Sequence, residues 1–124
     1  ADAVAAIHVL EHFYEYEVFD VLTEWKRVLK PNGKMILELP CMDKVFAYIH
    51  NCVVTKTPLM PFMSLYALYG DPRHKEPAMC HRWGWFEVPL KQMLESVGME
   101  RIEFKEPNYH FPFRDMRIEC YKGS

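Results

Sequence analysis

The sequence predicts an α/β layered domain built on a mixed sheet, and three features point there. Two short, branched, apolar runs, Val4 to Val9 and Met35 to Leu39, lie on either side of one strongly amphipathic helical segment. A second helical stripe, Leu90, Met93, Leu94 and Val97, is bracketed by Pro89 and Gly98. The final third then changes period, from helical spacing to strict alternation. Helices interleaved with strands, and then consecutive strands, favour helices packed on a partly parallel sheet.

Taken in order, Val4 to Val9 reads as a strand buried on both faces, as in a parallel sheet. Glu15 to Lys30 follows as a helix whose apolar stripe is Val18, Leu22, Trp25 and Leu29. Acids crowd its start and bases its end, which suits the helix dipole. Pro31 cannot continue that helix, and Asn32-Gly33 makes a turn into the strand Met35 to Leu39, which Pro40 ends. Strand, helix and strand form a βαβ unit, so these two strands should be parallel.

The middle is less regular. Asp43 is expected to cap a short helix through His50, with Val45, Phe46 and Ile49 on one face. Pro61 to Tyr69 reads as another helix, opened by proline and closed at Gly70. Residues 70–84, "GDPRHKEPAMCHRWG", read as a long ordered loop. Glu87 to Val97 is a helix ended by Gly98. Arg101 to Lys105 is a strand with Ile102 and Phe104 inward, and "EPNYHFPF" leads to a last strand, Asp115 to Tyr121. There Met116, Ile118 and Cys120 alternate with Arg117 and Glu119, and the two strands should pair antiparallel.

At 124 residues one domain is expected, with half of the residues hydrophobic and enough chain for a real core. A formal charge of −2 with interspersed signs gives no electrostatic reason to expect nucleic acid or an anionic membrane surface as partner. No apolar run is long enough to span a bilayer. Cys41, Cys52, Cys80 and Cys120 form no CxxC pair, so free thiols and a cytoplasmic setting are expected. The chain opens almost directly on a strand, which suggests a piece of something longer.

Three stretches, "DAVAAIHVLEHF", "VLTEWKRVLKPNGKMILELP" and "LKQMLESVGMERIEF", together resemble the class I S-adenosylmethionine-dependent methyltransferases. In that family a strand ends in a vLeH-like segment, a helix follows, and an RvLkPGG turn enters the next strand. Here the turn reads Lys30-Pro31-Asn32-Gly33, and Met99 stands where an aromatic residue is usual. The resemblance implies a partial Rossmann-like methyltransferase fold that is the C-terminal half of the domain. It also implies S-adenosylmethionine as cofactor and a small-molecule or sugar-like acceptor. The family's glycine-rich loop is missing: the five glycines, at 33, 70, 84, 98 and 123, form no GxG. By this reading residues 1–124 are a single, truncated methyltransferase-like domain.

Ligands of open α/β sheets sit beyond the carboxyl ends of the strands. By the resemblance, His8, Val9 and His12 would contact the cofactor. The alternative is that Glu11 and His12 only cap the next helix. His12 and His81 are candidate catalytic bases, because histidine titrates near neutrality. Arg82 and Trp83, within "CHRWGWF", are candidates for binding an anionic or planar acceptor by stacking and cation–π contact; the alternative is that Trp83 and Trp85 anchor a loop. His74, Cys80 and His81 lack a fourth ligand, and no metal is expected. A half-domain would leave the Val4 to Val9 strand with a bare edge, so a self-associating or partner-binding module, a homodimer through that strand, is the alternative to an enzyme.

Overall fold

The computed structural model describes residues 1–109 and 111–124. Among the described residues, four strands form one sheet in the order β1-β2-β4-β3. They are β1 (Ala3–Ile7), β2 (Lys34–Pro40), β3 (Glu100–Lys105) and β4 (Asp115–Tyr121). β1 runs parallel to β2, with Ala5 opposite Ile36. β4 is antiparallel to both β2 and β3, so the sheet is mixed as the sequence predicts. The helices are α1 (Glu15–Val28), α2 (Met42–Thr55), the short α3 (Leu65–Tyr69) and α4 (Glu87–Val97).

β2 is the centre of the fold. Met35, Leu37 and Leu39 are fully buried, and the core continues through Val18 and Leu22 of α1, Leu90 and Leu94 of α4, and Met116 and Ile118 of β4. α1 begins where Tyr14 N donates to the Glu17 carboxylate at 2.8 Å, satisfying one of the helix's unpaired terminal donors. Lys26 Nζ donates to the Val97 carbonyl at 3.1 Å, so a cation on α1 meets the carboxyl end of α4. α4 stops at Gly98, whose φ of +93° suits glycine.

Several expectations change. β1 is not buried on both faces: it is the sheet's edge, Ala3 and Ala5 are exposed, and only Ala6 is buried. The predicted helix at 43–50 runs on to Thr55, because Cys52 extends the buried stripe that includes Met42 and Val45. Phe46 is exposed rather than grouped with Val45, and it leans on Phe86 with ring centroids 5.3 Å apart. Asp43 does not cap its own helix. Its Oδ2 instead accepts from Glu87 N at 2.7 Å, capping the start of α4.

The helix expected over 61–69 is broken at Ser64 into a 3-10 turn, Pro61–Met63, and α3. Phe104 is exposed on β3, which forms the other edge of the sheet. Arg117 and Glu119 are buried rather than facing water, and they are held by ion pairs. Arg117 donates to Glu38 at 2.6 Å and to Glu119 at 2.8 Å, while Lys34 reaches Glu119 at 2.8 Å. The connection "EPNYHFPF" contains His110, which lies outside the described residues. No described helix is long and apolar enough to cross a membrane, and the four cysteines are unpaired.

Candidate functional site

β1 and β2 are parallel and finish side by side, at Ile7 and Pro40. His8 follows β1 directly. Its N–H still donates to Glu38 O at 2.7 Å, but its φ is +56°, a left-handed conformation costing about 1 kcal/mol or more in a non-glycine residue. That reversal turns the chain out of the sheet into a 3-10 turn, Leu10–His12. Leu10 is buried beneath it, so Glu11 and His12 are presented above the strand ends. β4 begins at the same end, because Asp115 pairs with Pro40.

These elements bring His8 between two buried carboxylates. Nδ1 is 3.3 Å from Glu11 Oε2, and Nε2 is 3.5 Å from Asp115 Oδ2. Burial opposes the charged imidazole, but the two carboxylates outweigh it and raise the His8 pKa to about 9. For Asp115, burial works upward, and the contacts with His8 and Arg114 outweigh it and hold its carboxyl below the usual range. Arg114 grips Asp115 with two donors, at 2.7 and 3.1 Å, and spends a third on Phe62 O at 3.0 Å.

The loop 70–84 closes the other side. Its neck is pinned: His81 N donates to Tyr69 O at 3.2 Å, and Arg82 N to Glu11 O at 2.8 Å. The Arg82 guanidinium donates to His12 O at 2.9 Å and lies 5.0 Å from the Tyr14 ring centroid. His81 Nδ1 is 2.8 Å from Ala67 O, and His12 Nδ1 is 3.2 Å from Cys80 O. The two imidazoles meet edge to face with centroids 4.9 Å apart. Burial lowers the His81 pKa, which favours the neutral ring. His8, Glu11, His12, His81 and Arg114 line a cleft of about 750 Å³ together with Tyr66, Asp71 and Arg73, a size suited to a small organic ligand.

Three of the residues singled out in the sequence, His8, His12 and His81, therefore line one cleft. Val9 is half-exposed beside the turn and does not line it. Arg82 uses its side chain on backbone carbonyls and Tyr14 rather than facing the cleft. Trp83 is exposed and lines a separate cleft of about 340 Å³ with Trp85, Pro89 and Met93. Trp85 is the loop anchor: it is buried and bridges to Cys41. Sequence reasoning missed the roles of Glu11, Asp115 and Arg114. Glu11 had a visible signal, a single acid between two histidines on a segment opened by a buried leucine. The adjacent opposite charges of Arg114 and Asp115, at the entrance to an apolar strand, were a second.

Residues 1–37 match the family model described as a methyltransferase domain. No curated protein sequence matches the chain. Solved structures resemble it over nearly its whole length. Human N-acetylserotonin methyltransferase in complex with SAM superposes with a TM-score of 0.64 at 17% identity, covering 100% of this chain and 30% of that one. An O-methyltransferase family protein from Burkholderia thailandensis gives a TM-score of 0.61 at 13% identity, covering 100% of this chain and 31% of that one. A SAM-dependent methyltransferase from Archaeoglobus fulgidus gives 0.60 at 14%, covering 98% and 59%. The chain shares the α/β fold of the matching part of these methyltransferases. It spans between about a third and three-fifths of the length of these methyltransferases. Within that fold the histidine-bearing turn lies beyond the carboxyl ends of parallel strands, the place where open α/β sheets take their ligands.

Proposed function

We propose that the chain is the cofactor- and acceptor-facing part, the C-terminal portion, of an S-adenosylmethionine-dependent methyltransferase acting on a small-molecule or sugar-like acceptor, in the cytoplasm. The observation that carries this reading is the convergence of His8, Glu11, His12 and His81 at the carboxyl ends of β1 and β2 in a methyltransferase fold. The residues present fit part of the cofactor. His8, Glu11 and His12 line the cleft that the cofactor's methionine end would enter, and Val9 flanks the same turn, while the charges of Glu11 and Asp115 are balanced by His8 and Arg114. No GxG loop is present to let backbone approach a nucleotide, so the adenosine end would need residues outside these 124.

When bound, the cofactor supplies an electrophilic methyl group on a good leaving group, so alignment supplies most of the acceleration. This chain's part is to orient and to handle one proton. His81 and His12 stand at the cleft as bases for a hydroxyl or ammonium acceptor, with their rings fixed through Nδ1 by backbone carbonyls. Arg82 holds the turn that carries His12, and Trp83 offers an aromatic shelf in the neighbouring cleft. Isothermal titration of this chain and of a longer one with the cofactor and its demethylated product tests the reading. Heat only from the longer chain supports it; heat from neither refutes it.

A second reading rests on β1. As an edge strand with exposed Ala3 and Ala5 it offers unpaired backbone groups, and a homodimer through β1 would cover them. The module would then be an incomplete, self-associating domain. A strictly monomeric sedimentation profile at high concentration rules that out.

A further inference from the structure

We propose that Glu11, His12 and His81 form a binding site for a single divalent transition-metal ion of the zinc or cobalt type. One ligand atom from each of the three lies within 4.8 Å of the others. One carboxylate and two imidazoles are a donor set such ions favour, leaving a coordination position open for water or an exogenous oxygen.

The tautomers make the argument stronger than proximity alone. A backbone carbonyl can only accept a hydrogen bond, so His12 Nδ1, facing Cys80 O at 3.2 Å, and His81 Nδ1, facing Ala67 O at 2.8 Å, are the protonated nitrogens. In the neutral rings Nε2 then carries a lone pair. This is the outer-shell arrangement that orients metal-binding histidines. His81 Nε2 points at Glu11 Oε2 from 3.9 Å. Two acceptors thus face each other across a buried gap.

Glu11 is 2% exposed, and among the described residues neither of its carboxylate oxygens receives a well-aligned hydrogen bond. His8 Nδ1 approaches Oε2 at 3.3 Å from one side only, which leaves Oε1 without a partner. A buried carboxylate oxygen with no donor is destabilising, and an ion among the three ligands would remove that penalty. Ligand atoms about 2.1 Å from a tetrahedral ion stand about 3.4 Å apart, so ring rotations of roughly 1 Å complete the site. All three residues line the cleft, so an open position on the ion would be reached from it. With both Nε2 lone pairs on the ion, a loaded site would replace the basic role of His12 and His81 by acidifying a bound acceptor hydroxyl, whose proton would pass to solvent; that consequence rests on the methyl-transfer reading, whereas ion binding does not.

A second group, Cys41, Asp43 and Glu87, has similar spacing, but Asp43 Oδ2 is already taken by Glu87 N at 2.7 Å. Titrating the metal-free chain with Co²⁺ by visible absorption, and with Zn²⁺ by calorimetry, distinguishes the two. The expected result is one equivalent bound with nitrogen and oxygen ligands, a rise in Tm, and affinity weakened at least ~10-fold by His81→Ala, His12→Ala or Glu11→Gln. His74→Ala, in the same cleft but outside the trio, should bind as the parent does. Because Glu11→Gln sits in a buried position, the two histidine variants decide the matter if that protein does not fold. No binding overturns the proposal, as does binding that survives both histidine variants. So does a sulfur-to-cobalt charge-transfer band abolished by Cys41→Ser.

Discussion

Glu38→Ala is the substitution whose cost can be worked from the structure most directly. Glu38 lies on central strand β2, is fully buried, and accepts three hydrogen bonds: from Arg117 Nη1 at 2.6 Å, Asn108 N at 2.9 Å and Tyr109 N at 3.2 Å. Losing the charge-assisted bond to Arg117 costs about 1.5–3 kcal/mol. Asn108 and Tyr109 are exposed residues whose N–H groups can turn to water, so each adds about 0.5 kcal/mol rather than a full burial penalty. Arg117 keeps Glu119 as a partner at 2.8 Å, which prevents the larger loss of a wholly orphaned charge. The expected total is about 3 kcal/mol, a large share of the ~5–15 kcal/mol that holds a domain folded.

Urea denaturation followed by circular dichroism measures it. With m near 2 kcal/mol/M, the midpoint should fall by about 1.5 M at unchanged m. Adding Arg117→Met should recover part of the loss by removing the buried guanidinium. A loss below about 1 kcal/mol, or a double variant weaker than the sum of the single ones, would refute the view that this ion network holds β2 to β4 and to Asn108 and Tyr109.

Three further outcomes are expected. Lys34 first, then Arg117, hold the Glu119 carboxyl down to about 2; a depressed folded value stabilises above the ordinary carboxylate range, and the contribution is lost as pH falls toward 2. Stability measured from pH 6 to pH 3 should therefore fall less steeply in Glu119→Gln than in the parent. Leu22→Ala, at a fully buried position between α1 and the sheet, should cost about 2–5 kcal/mol by urea titration, because it leaves a cavity. Asp43→Ala removes the cap on α4 and should cost about 1 kcal/mol, with faster amide exchange at the start of that helix.

Where local chemistry decided the structure, the sequence was readable. α4 has its predicted bounds, Glu87 to Val97, because the apolar stripe and Gly98 are local signals. β4 likewise has its predicted bounds. What failed depended on neighbours. Arg117 and Glu119 alternate with Ile118 as a half-exposed strand would, yet they are buried, because Glu38 and Lys34 from β2 meet them. β1 has the composition of a strand buried on both faces; its bare edge is the one expected of a half-domain, but the exposure of Ala3 and Ala5 depends on what covers that face, which its own residues do not state. Helix α2 runs past His50 through a β-branched stretch, against propensity, since Cys52 finds a buried place. The histidines were legible as titratable groups near a strand end. That His81 would cross from a loop seventy residues on to face His12 was not, because that contact is made by the folded neck at Tyr69 and Arg82.

That neck has a consequence for how such a domain diversifies. The loop leaves at Tyr69 and returns at His81 with its two ends already fastened together, and Arg82 fastens the return to the turn after β1. Residues 71–79 hang between as a closed excursion. Lengthening or shortening it changes the entropy of closure only weakly, so the span tolerates changes in length that leave the rest of the fold in place. The paired imidazoles stay registered to the sheet whatever the length of the excursion.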